Sequence, residues 1–270
     1  MAIAGGMAGL LVVLVGSVLL FKPDAKVGAK PSKSPSVTPS AVASVKPGKQ
    51  TGTVTMKADP PKTVACGGAL PAAAGTPKPQ FGAPPKQTID PTLVYTALIK
   101  TSCGDVEVTL DPVGAPVATN NFVFLVKKHF YDGIYLHRIV KGFMIQGGDP
   151  LGTGAGGPGY DFATEVNQTI KFGDQAGVLA YGNKGIPDTN GSQFFITVAP
   201  QSFLDTQGPF TAFGTVSKGL GVLEKITHLP AKPASSCVSA TEACRTDEAV
   251  YIDSITIKET KPKPSPSPSP

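Results

Sequence analysis

Residues 135–149 read Tyr135-Leu-His-Arg-Ile-Val-Lys-Gly-Phe-Met-Ile-Gln-Gly-Gly-Asp149, and this stretch decides the fold. Its two halves, residues 135–140 and 143–147, are short, rich in aromatic and β-branched side chains, and bounded by glycine. Short runs of this composition between turn residues are typical of β-strands. We therefore expect two short strands here.

The chain on both sides repeats this pattern. Residues 93–101 and 104–110 alternate as the two arms of a hairpin, with Ser102, Cys103 and Gly104 at its turn. Further strands are predicted at residues 177–181, 193–198, 211–216 and 249–258, and helices only at residues 115–130 and 218–227. Many short strands with long glycine-rich connections predict a mainly β protein built as an antiparallel barrel. The helices are too few and too far apart for a doubly wound α/β sheet.

The positive charge of the chain lies mostly outside this predicted domain. The 270 residues carry 24 Lys+Arg and 19 Asp+Glu, a net charge of +5. Residues 22–90 hold ten lysines and three acidic residues, whereas residues 91–257 hold eleven basic and fifteen acidic residues. A nucleic-acid-binding domain concentrates Lys and Arg on its own folded surface. We therefore expect no nucleic-acid partner.

The first 21 residues predict a membrane anchor. Residues 2–21 are apolar or small and uncharged, which is long enough to span a bilayer. No Lys or Arg precedes them and no small-residue cleavage site follows, which disfavours a cleaved signal peptide. Four lysines between residues 22 and 33 would be retained in the cytoplasm by the positive-inside rule. We nevertheless expect a single-pass protein of the cell membrane with its folded domain outside. A start codon upstream, with a basic cytoplasmic segment before the anchor, would reconcile this topology with the lysines that follow the anchor.

The rest of the chain is predicted to consist of a linker, one folded domain and a tail. Residues 22–91 contain 13 of the 27 prolines, mixed with Ser, Thr, Lys and Ala, and this composition predicts a disordered linker. Residues 92–258 form the predicted domain, and residues 259–270 a disordered Pro/Ser tail.

The four cysteines, Cys66, Cys103, Cys237 and Cys244, favour disulfides. None has CxxC spacing and none lies near a histidine, so we expect no metal site. An even count fits disulfide bonding in an exported domain. Cys237 and Cys244 suit a local bridge, and Cys66 could pin the linker to Cys103 at a strand end.

Two common enzyme motifs are excluded. Residues 152–157 match G-x-G-x-x-G, but Pro158-Gly159 follows where a dinucleotide fingerprint requires a helix. The chain has no Gly-x-Ser-x-Gly nucleophile elbow, and no cysteine stands near a candidate base, so a hydrolase has little support.

Two further strings complete the pattern of residues 135–149. They are Gly177-Val-Leu-Ala-Tyr-Gly-Asn-Lys-Gly-Ile-Pro-Asp-Thr-Asn-Gly-Ser-Gln-Phe-Phe-Ile196, and Phe203-Leu-Asp205 with Phe210-Thr-Ala-Phe-Gly214. In this order and spacing, the strings resemble the cyclophilin family of peptidyl-prolyl cis-trans isomerases across residues 92–258. The resemblance implies a closed eight-stranded antiparallel barrel capped by two α-helices, of the bacterial membrane-anchored form.

The implied chemistry requires no nucleophile, metal or cofactor. Amide resonance places a barrier of ~18–20 kcal/mol on rotation of an X–Pro bond. A fixed guanidinium that donates to the prolyl nitrogen favours the twisted amide over the planar one, and such differential binding accelerates rotation. The resemblance assigns this role to Arg138.

The resemblance also assigns the substrate contacts. An apolar pocket for the proline ring would be formed by Phe143, Met144, Phe195 and Leu204, and the substrate backbone would be held by Gln146, Asn183 and Gln193. Gly182 would line the neighbouring wall. Phe203 stands where many members have Trp, which predicts weaker cyclosporin binding, and Phe210 stands where the best-known members have His.

Two functions are therefore predicted, with the first favoured. One is a monomeric isomerase that acts on Pro-containing segments of exported proteins. The alternative is a non-catalytic module that binds such segments in envelope proteins. Intact Arg138 favours catalysis.

Overall fold

The computed structural model describes residues 47–55, 61–208, 210–233 and 244–262. The elements in chain order are β1 (Gln50–Val54), β2 (Lys78–Phe81), β3 (Val94–Thr101), β4 (Gly104–Leu110), α1 (Pro116–Lys127), β5 (Arg138–Val140), β6 (Met144–Gly147), β7 (Val178–Tyr181), β8 (Phe194–Thr197), β9 (Ala212–Lys218), α2 (Leu220–Thr227), β10 (Ala231–Lys232), β11 (Arg245–Thr246) and β12 (Ile252–Thr260). Eight strands form one antiparallel sheet in the order β12-β3-β4-β9-β7-β8-β6-β5. The prediction of a mainly β protein with two helices is confirmed.

The sheet encloses the main core because apolar residues alternate along its strands. In β3, Tyr95, Ala97 and Ile99 are buried, while Lys100 is exposed. Val106 and Val108 of β4 lie opposite Ile99 and Ala97 and are buried with them. Successive side chains of a strand point to opposite faces, so one face of the sheet supplies the core.

The two helices cover this core. Helix α1 begins with Pro116 at its first turn, and the Glu165 carboxylate accepts the N–H groups of Val117 and Ala118 at 3.0 and 2.7 Å. It ends at Lys127, earlier than expected, and His129 just beyond has φ +53°, which a continuing helix does not allow. Helix α2 begins only at Leu220, because Lys218 belongs to β9 and Gly219 turns the chain at φ +89°.

The prediction of a closed barrel is wrong. The outermost strands, β5 and β12, do not pair with each other. The chain just before β5 meets the start of β12 through single backbone bonds, such as Leu136 N–H to the Val250 carbonyl at 2.8 Å. Strand β5 is only three residues long, and the Ile139 N–H donates instead to the Cys244 carbonyl at 2.7 Å. The free side of β5 is therefore occupied by the segment at Cys244, and the eight strands form a curled, open sheet.

Much of the predicted linker is ordered and packed on the domain. We call residues 47–55 and 61–91 the N-terminal strap. Its strands β1 and β2 form an antiparallel pair. Phe81 is buried, with its ring centroid 4.9 Å from that of Phe124 on α1. Ala65 is fully buried, and its N–H donates to the Ala249 carbonyl at 2.9 Å. These apolar anchors hold the strap against the domain, although its composition predicted a disordered linker.

Polar groups fix the strap at further points. The buried Lys78 ammonium donates to the Asp132 carbonyl and, at 3.2 Å, to Thr76 Oγ1. Burial lowers the pKa of Lys78, partly offset by the charge of Asp132. Near α1, the Thr88 N–H donates to Asn120 Oδ1 at 2.8 Å, and Asn120 Nδ2 donates to the Lys86 carbonyl at 3.0 Å.

One predicted disulfide joins the strap to the sheet. Cys66 and Cys103 are bonded across 37 residues of chain, which confirms that pairing. Cys103 lies in the turn between β3 and β4, as expected. Cys244 is also disulfide-bonded, whereas Cys237 lies outside the described residues.

The predicted membrane anchor, residues 1–21, also lies outside the described residues. Among the helices that the structure does describe, none has both the length and the apolar character to cross a bilayer. The linker residues 22–46 and most of the predicted tail, residues 263–270, are likewise not described.

Candidate active site

The predicted site residues that belong to strands are Arg138, Met144, Gln146 and Phe195, and they lie on the outer face of the sheet, opposite the main core. The strand register aligns Arg138 with Gln146, Gln146 with Phe195, and Phe195 with Ala180. These four residues form a row across β5, β6, β8 and β7. The neighbouring row, which includes Ile139 and the β6, β8 and β7 residues next in register, packs into the main core. Because successive side chains of a strand point to opposite faces, one face of the sheet packs into the core and the other face carries the candidate site.

Arg138 lies against the apolar pocket. Arg138 is half-buried, and its guanidinium carbon lies 5.8 Å from the centre of the Phe143 ring. An aromatic face attracts a cation at this distance. Since a guanidinium stays charged at all physiological pH values, Arg138 presents a permanent cation at the rim of the pocket.

The six predicted apolar residues come together in one cluster separate from the main core. Met144, Phe195 and Leu204 are buried in it, and Phe143, Phe203 and Phe210 are partly buried against it. The ring centroids of Phe143 and Phe203 are 5.5 Å apart, and those of Phe195 and Phe210 are also 5.5 Å apart. Leu204 and Phe203 are supplied by a single turn of 3-10 helix, Ser202–Asp205. We call this apolar cluster, which lies beside the Arg138 guanidinium, the aromatic pocket.

Sequence reasoning missed Phe172, which is buried in this cluster and stacks on Phe195 at 5.9 Å. Its loop is held by Asp205, whose carboxylate accepts the N–H groups of Phe172 and Gly173 at 2.9 and 2.8 Å. No local sequence signal identifies this contact, because Phe172 and Asp205 are 33 residues apart in the chain.

The predicted polar contacts border a second, polar cavity of about 460 Å³. Gln146, Gly182, Asn183 and Gln193 all line it. Gln146 Nε2 donates to Gln193 Oε1 at 3.0 Å, and the Gly182 N–H donates to the Gln193 carbonyl at 2.9 Å. Gln146 thus belongs to the row of Arg138 and also to the wall of the cavity, so it separates the aromatic pocket from the cavity.

The glycine-rich loop at residues 152–157 forms another wall of the cavity. Gln193 Nε2 donates to the carbonyls of Gly154 and Gly156 at 2.8 and 2.9 Å. The Asp149 carboxylate accepts the N–H groups of Leu151 and Thr153 at 2.7 and 2.9 Å. No helix follows this loop, in keeping with its exclusion as a dinucleotide motif.

His137, beside Arg138, points away from solvent and is 1% exposed. Burial lowers the pKa of His137 to about 4, and the charges of Arg138 and Arg245 act in the same direction against the opposing charge of Asp149. The imidazole is therefore neutral at physiological pH, and its place inside the fold agrees with the structural role expected for it.

This burial makes the stability of the domain sensitive to acid. Above pH 6.5 His137 is neutral in both the folded and unfolded states; between pH 6.5 and 4 only the unfolded chain gains the proton. We expect the free energy of unfolding to fall by up to about 3 kcal/mol across this window because of His137. Urea unfolding at a series of pH values measures the slope.

His137→Gln is the control for this prediction, because glutamine does not titrate. Its unfolding free energy should vary less between pH 6.5 and 4 than that of the wild type. Equal slopes in the two proteins would contradict the assignment to His137.

Among the described residues, no group of three or more His, Cys, Asp or Glu side chains is arranged to hold a metal ion. The fold and this site define a mainly β protein whose outer sheet face carries an aromatic pocket, a neighbouring guanidinium and a polar cavity.

Comparison with known proteins identifies the family. The family model of the cyclophilin type peptidyl-prolyl cis-trans isomerases matches residues 96–257. The chain is 41% identical over 179 residues to peptidyl-prolyl cis-trans isomerase B of Streptomyces anulatus, a match that covers 60% of this chain and 95% of that protein. It is 44% identical over 145 residues to human peptidyl-prolyl cis-trans isomerase-like 1, covering 53% of this chain and 83% of that protein.

Solved structures agree with this similarity. A Cryptosporidium parvum cyclophilin type peptidyl-prolyl cis-trans isomerase superposes with a TM-score of 0.54 at 32% identity, covering 61% of this chain and 98% of that one. A second crystal structure of that protein was obtained in the presence of the dipeptide Ala-Pro, with the same TM-score and identity. The chain belongs to the cyclophilin family, and the names of its relatives support peptidyl-prolyl isomerase activity on Pro-containing polypeptides.

Proposed function

We propose that this chain accelerates rotation of X–Pro bonds in exported proteins by a non-covalent mechanism in which Arg138 stabilises the twisted amide. The observation that carries the proposal is the position of the Arg138 guanidinium, which lies over Phe143 at the rim of the aromatic pocket. A proline ring seated in this pocket would bring its nitrogen close to the guanidinium.

The physical basis is the change in the prolyl nitrogen during rotation. In the planar amide its lone pair is delocalised, which gives the barrier of ~18–20 kcal/mol. In the twisted state the nitrogen becomes pyramidal and its lone pair can accept a hydrogen bond. A donor fixed by the fold stabilises this state more than the planar one, and only such a difference raises the rate.

The rest of the site would hold the substrate while one bond turns. Aromatic side chains bury the proline ring, because an apolar ring gains free energy on leaving water. Gln146 stands next to Arg138 in register, and its hydrogen bond to Gln193 fixes its side chain. Both amides, with Asn183 on the cavity wall, would bond the extended backbone beside the proline.

The export of the substrates rests on two features of the chain. Residues 2–21 are apolar or small and uncharged, and we propose that they anchor the protein in the cell membrane as a single span. The Cys66–Cys103 disulfide fits an oxidising compartment outside the cytoplasm. Unaided proline rotation takes tens of seconds, so folding of exported chains would benefit from the enzyme. We further propose that the domain acts as a monomer.

Protease treatment of intact cells tests this location. A protease added outside should cleave the domain only if it lies outside the membrane. Protection in intact cells, followed by cleavage after lysis, would contradict the proposed topology.

A protease-coupled assay on an Ala-Pro peptide tests the activity itself. We expect kcat/KM to lie in the range typical of enzymes, about 10⁴–10⁸ M⁻¹s⁻¹. Binding of the peptide without acceleration would favour the alternative, a non-catalytic module that recognises Pro-containing segments of envelope proteins. Titration followed by NMR supplies the binding measurement.

A further inference from the structure

We propose that the N-terminal strap is part of the substrate-binding surface: Val54 and Gln80 form a wall of the polar cavity that selects long side chains next to the proline. This inference rests on the proposed isomerase function. The family match begins at residue 96, so both residues lie in a part of the chain that the family domain does not include.

The strap is held firmly enough to form a wall. The Gln80 side-chain amide donates to the Gly157 carbonyl at 2.8 Å, and the Phe81 N–H donates to the Pro158 carbonyl at 2.8 Å. Strand β2 is therefore bonded directly to the end of the glycine-rich loop. Strand β1 is paired to β2, and Val54 at its end is half-buried and lines the cavity.

The cavity lies within reach of a bound proline. Gln146 contributes to the cavity wall and is the register partner of Arg138. Neighbouring strands are about 4.8 Å apart, and an extended chain advances about 3.3 Å per residue. A residue one or two positions from a proline in the aromatic pocket therefore reaches the cavity.

The lining indicates which side chains fit. The volume of about 460 Å³ exceeds what a methyl group fills, so alanine leaves the strap untouched. Val54 and Leu151 offer apolar contacts, and the Lys184 ammonium at the cavity rim is already paired with Asp161 at 2.6 Å. A long, uncharged side chain, such as leucine, methionine or glutamine, would contact the strap without displacing a charge.

Isomerisation of matched peptides tests this inference. Peptides carry alanine or leucine at each position within two residues of the proline, and NMR exchange measures kcat/KM for the full chain. In the wild type we expect leucine to be preferred at one of these positions. Val54→Ala should reduce that leucine-to-alanine preference by up to about tenfold, because a lost apolar contact costs at most this much at a partly open wall. Val54→Phe, which fills the cavity, should also reduce it.

Thr53→Ala is the matched control. Thr53 is the exposed neighbour of Val54 on β1 and does not line the cavity, so its variant should keep the wild-type preference. Thermal unfolding of all variants reports whether β1 remains folded.

The outcomes separate this inference from the proposed function. An unchanged preference in both Val54 variants, or equal loss on alanine and leucine peptides, would overturn the role of the strap while leaving the isomerase intact. Absence of isomerisation with every peptide would overturn the proposed function, and the role of the strap with it.

Discussion

Arg138→Ala is expected to lower kcat/KM for an Ala-Pro peptide by about 100- to 1,000-fold, the loss typical when one fixed donor to a transition state is removed. The guanidinium borders the aromatic pocket and lies over Phe143, so its loss removes the donor and leaves the pocket. The binding of substrate in its ground state should change far less than the rate. A protease-coupled assay and an NMR titration measure the two quantities separately.

Two variants serve as controls for this prediction. Arg138→Lys keeps the charge but not the rigid planar donors, so we expect only partial activity. Lys141→Ala removes a nearby cation that is exposed in the turn after β5 and should retain full activity. Equal rates for wild type and Arg138→Ala would eliminate the proposed mechanism, and with binding retained they would support the non-catalytic module.

The second large effect concerns the disulfide of the strap. Replacing Cys66 and Cys103 together by serine should lower the free energy of unfolding by about 4 kcal/mol. The bridge closes a segment of 37 residues, and a cross-link of that span restricts the unfolded chain substantially. Denaturant unfolding of the wild type and the double variant measures the difference.

Reduction of the wild type alone would be ambiguous, because Cys244 is also disulfide-bonded. Adding reductant to the double variant isolates that second contribution. A loss below about 1 kcal/mol in the double variant would mean that the apolar anchors of the strap, not the cross-link, account for its attachment.

The sequence predicted most of the sheet because its strands alternate or lie between glycines. The arms of the β3–β4 hairpin and the β12 strand were placed within a few residues of their observed bounds. The open edge could not be predicted, since it depends on the Ile139 N–H donating to a distant carbonyl at Cys244. Local patterns carry no information about such long-range competition between backbone partners.

The strap was missed for a different reason. Its average composition, rich in proline and lysine, is that of a disordered segment. Order arises from a few positions, chiefly Ala65 and Phe81, which are buried against the domain. Averages over a long window conceal such isolated anchors.

The predicted site residues were brought together as their motifs implied, whereas Phe172 was not foreseen. The row of Arg138, Gln146 and Phe195 follows from strand register, which short motifs encode through their spacing. Phe172 reaches the pocket from a long loop that is held by the bonds of Phe172 and Gly173 to Asp205, and loop conformation has no comparable periodic signal.

The attachment of the strap also has a mechanical consequence. A pulling force on the N-terminal side of the domain would first peel β1 from β2, because the ladder that joins the two strands is short. Unravelling would then stop at Cys66, where the covalent link to Cys103 transfers the load to the sheet. Residues between the link and β3 are thereby shielded from tension, and the domain resists being stretched open from that end.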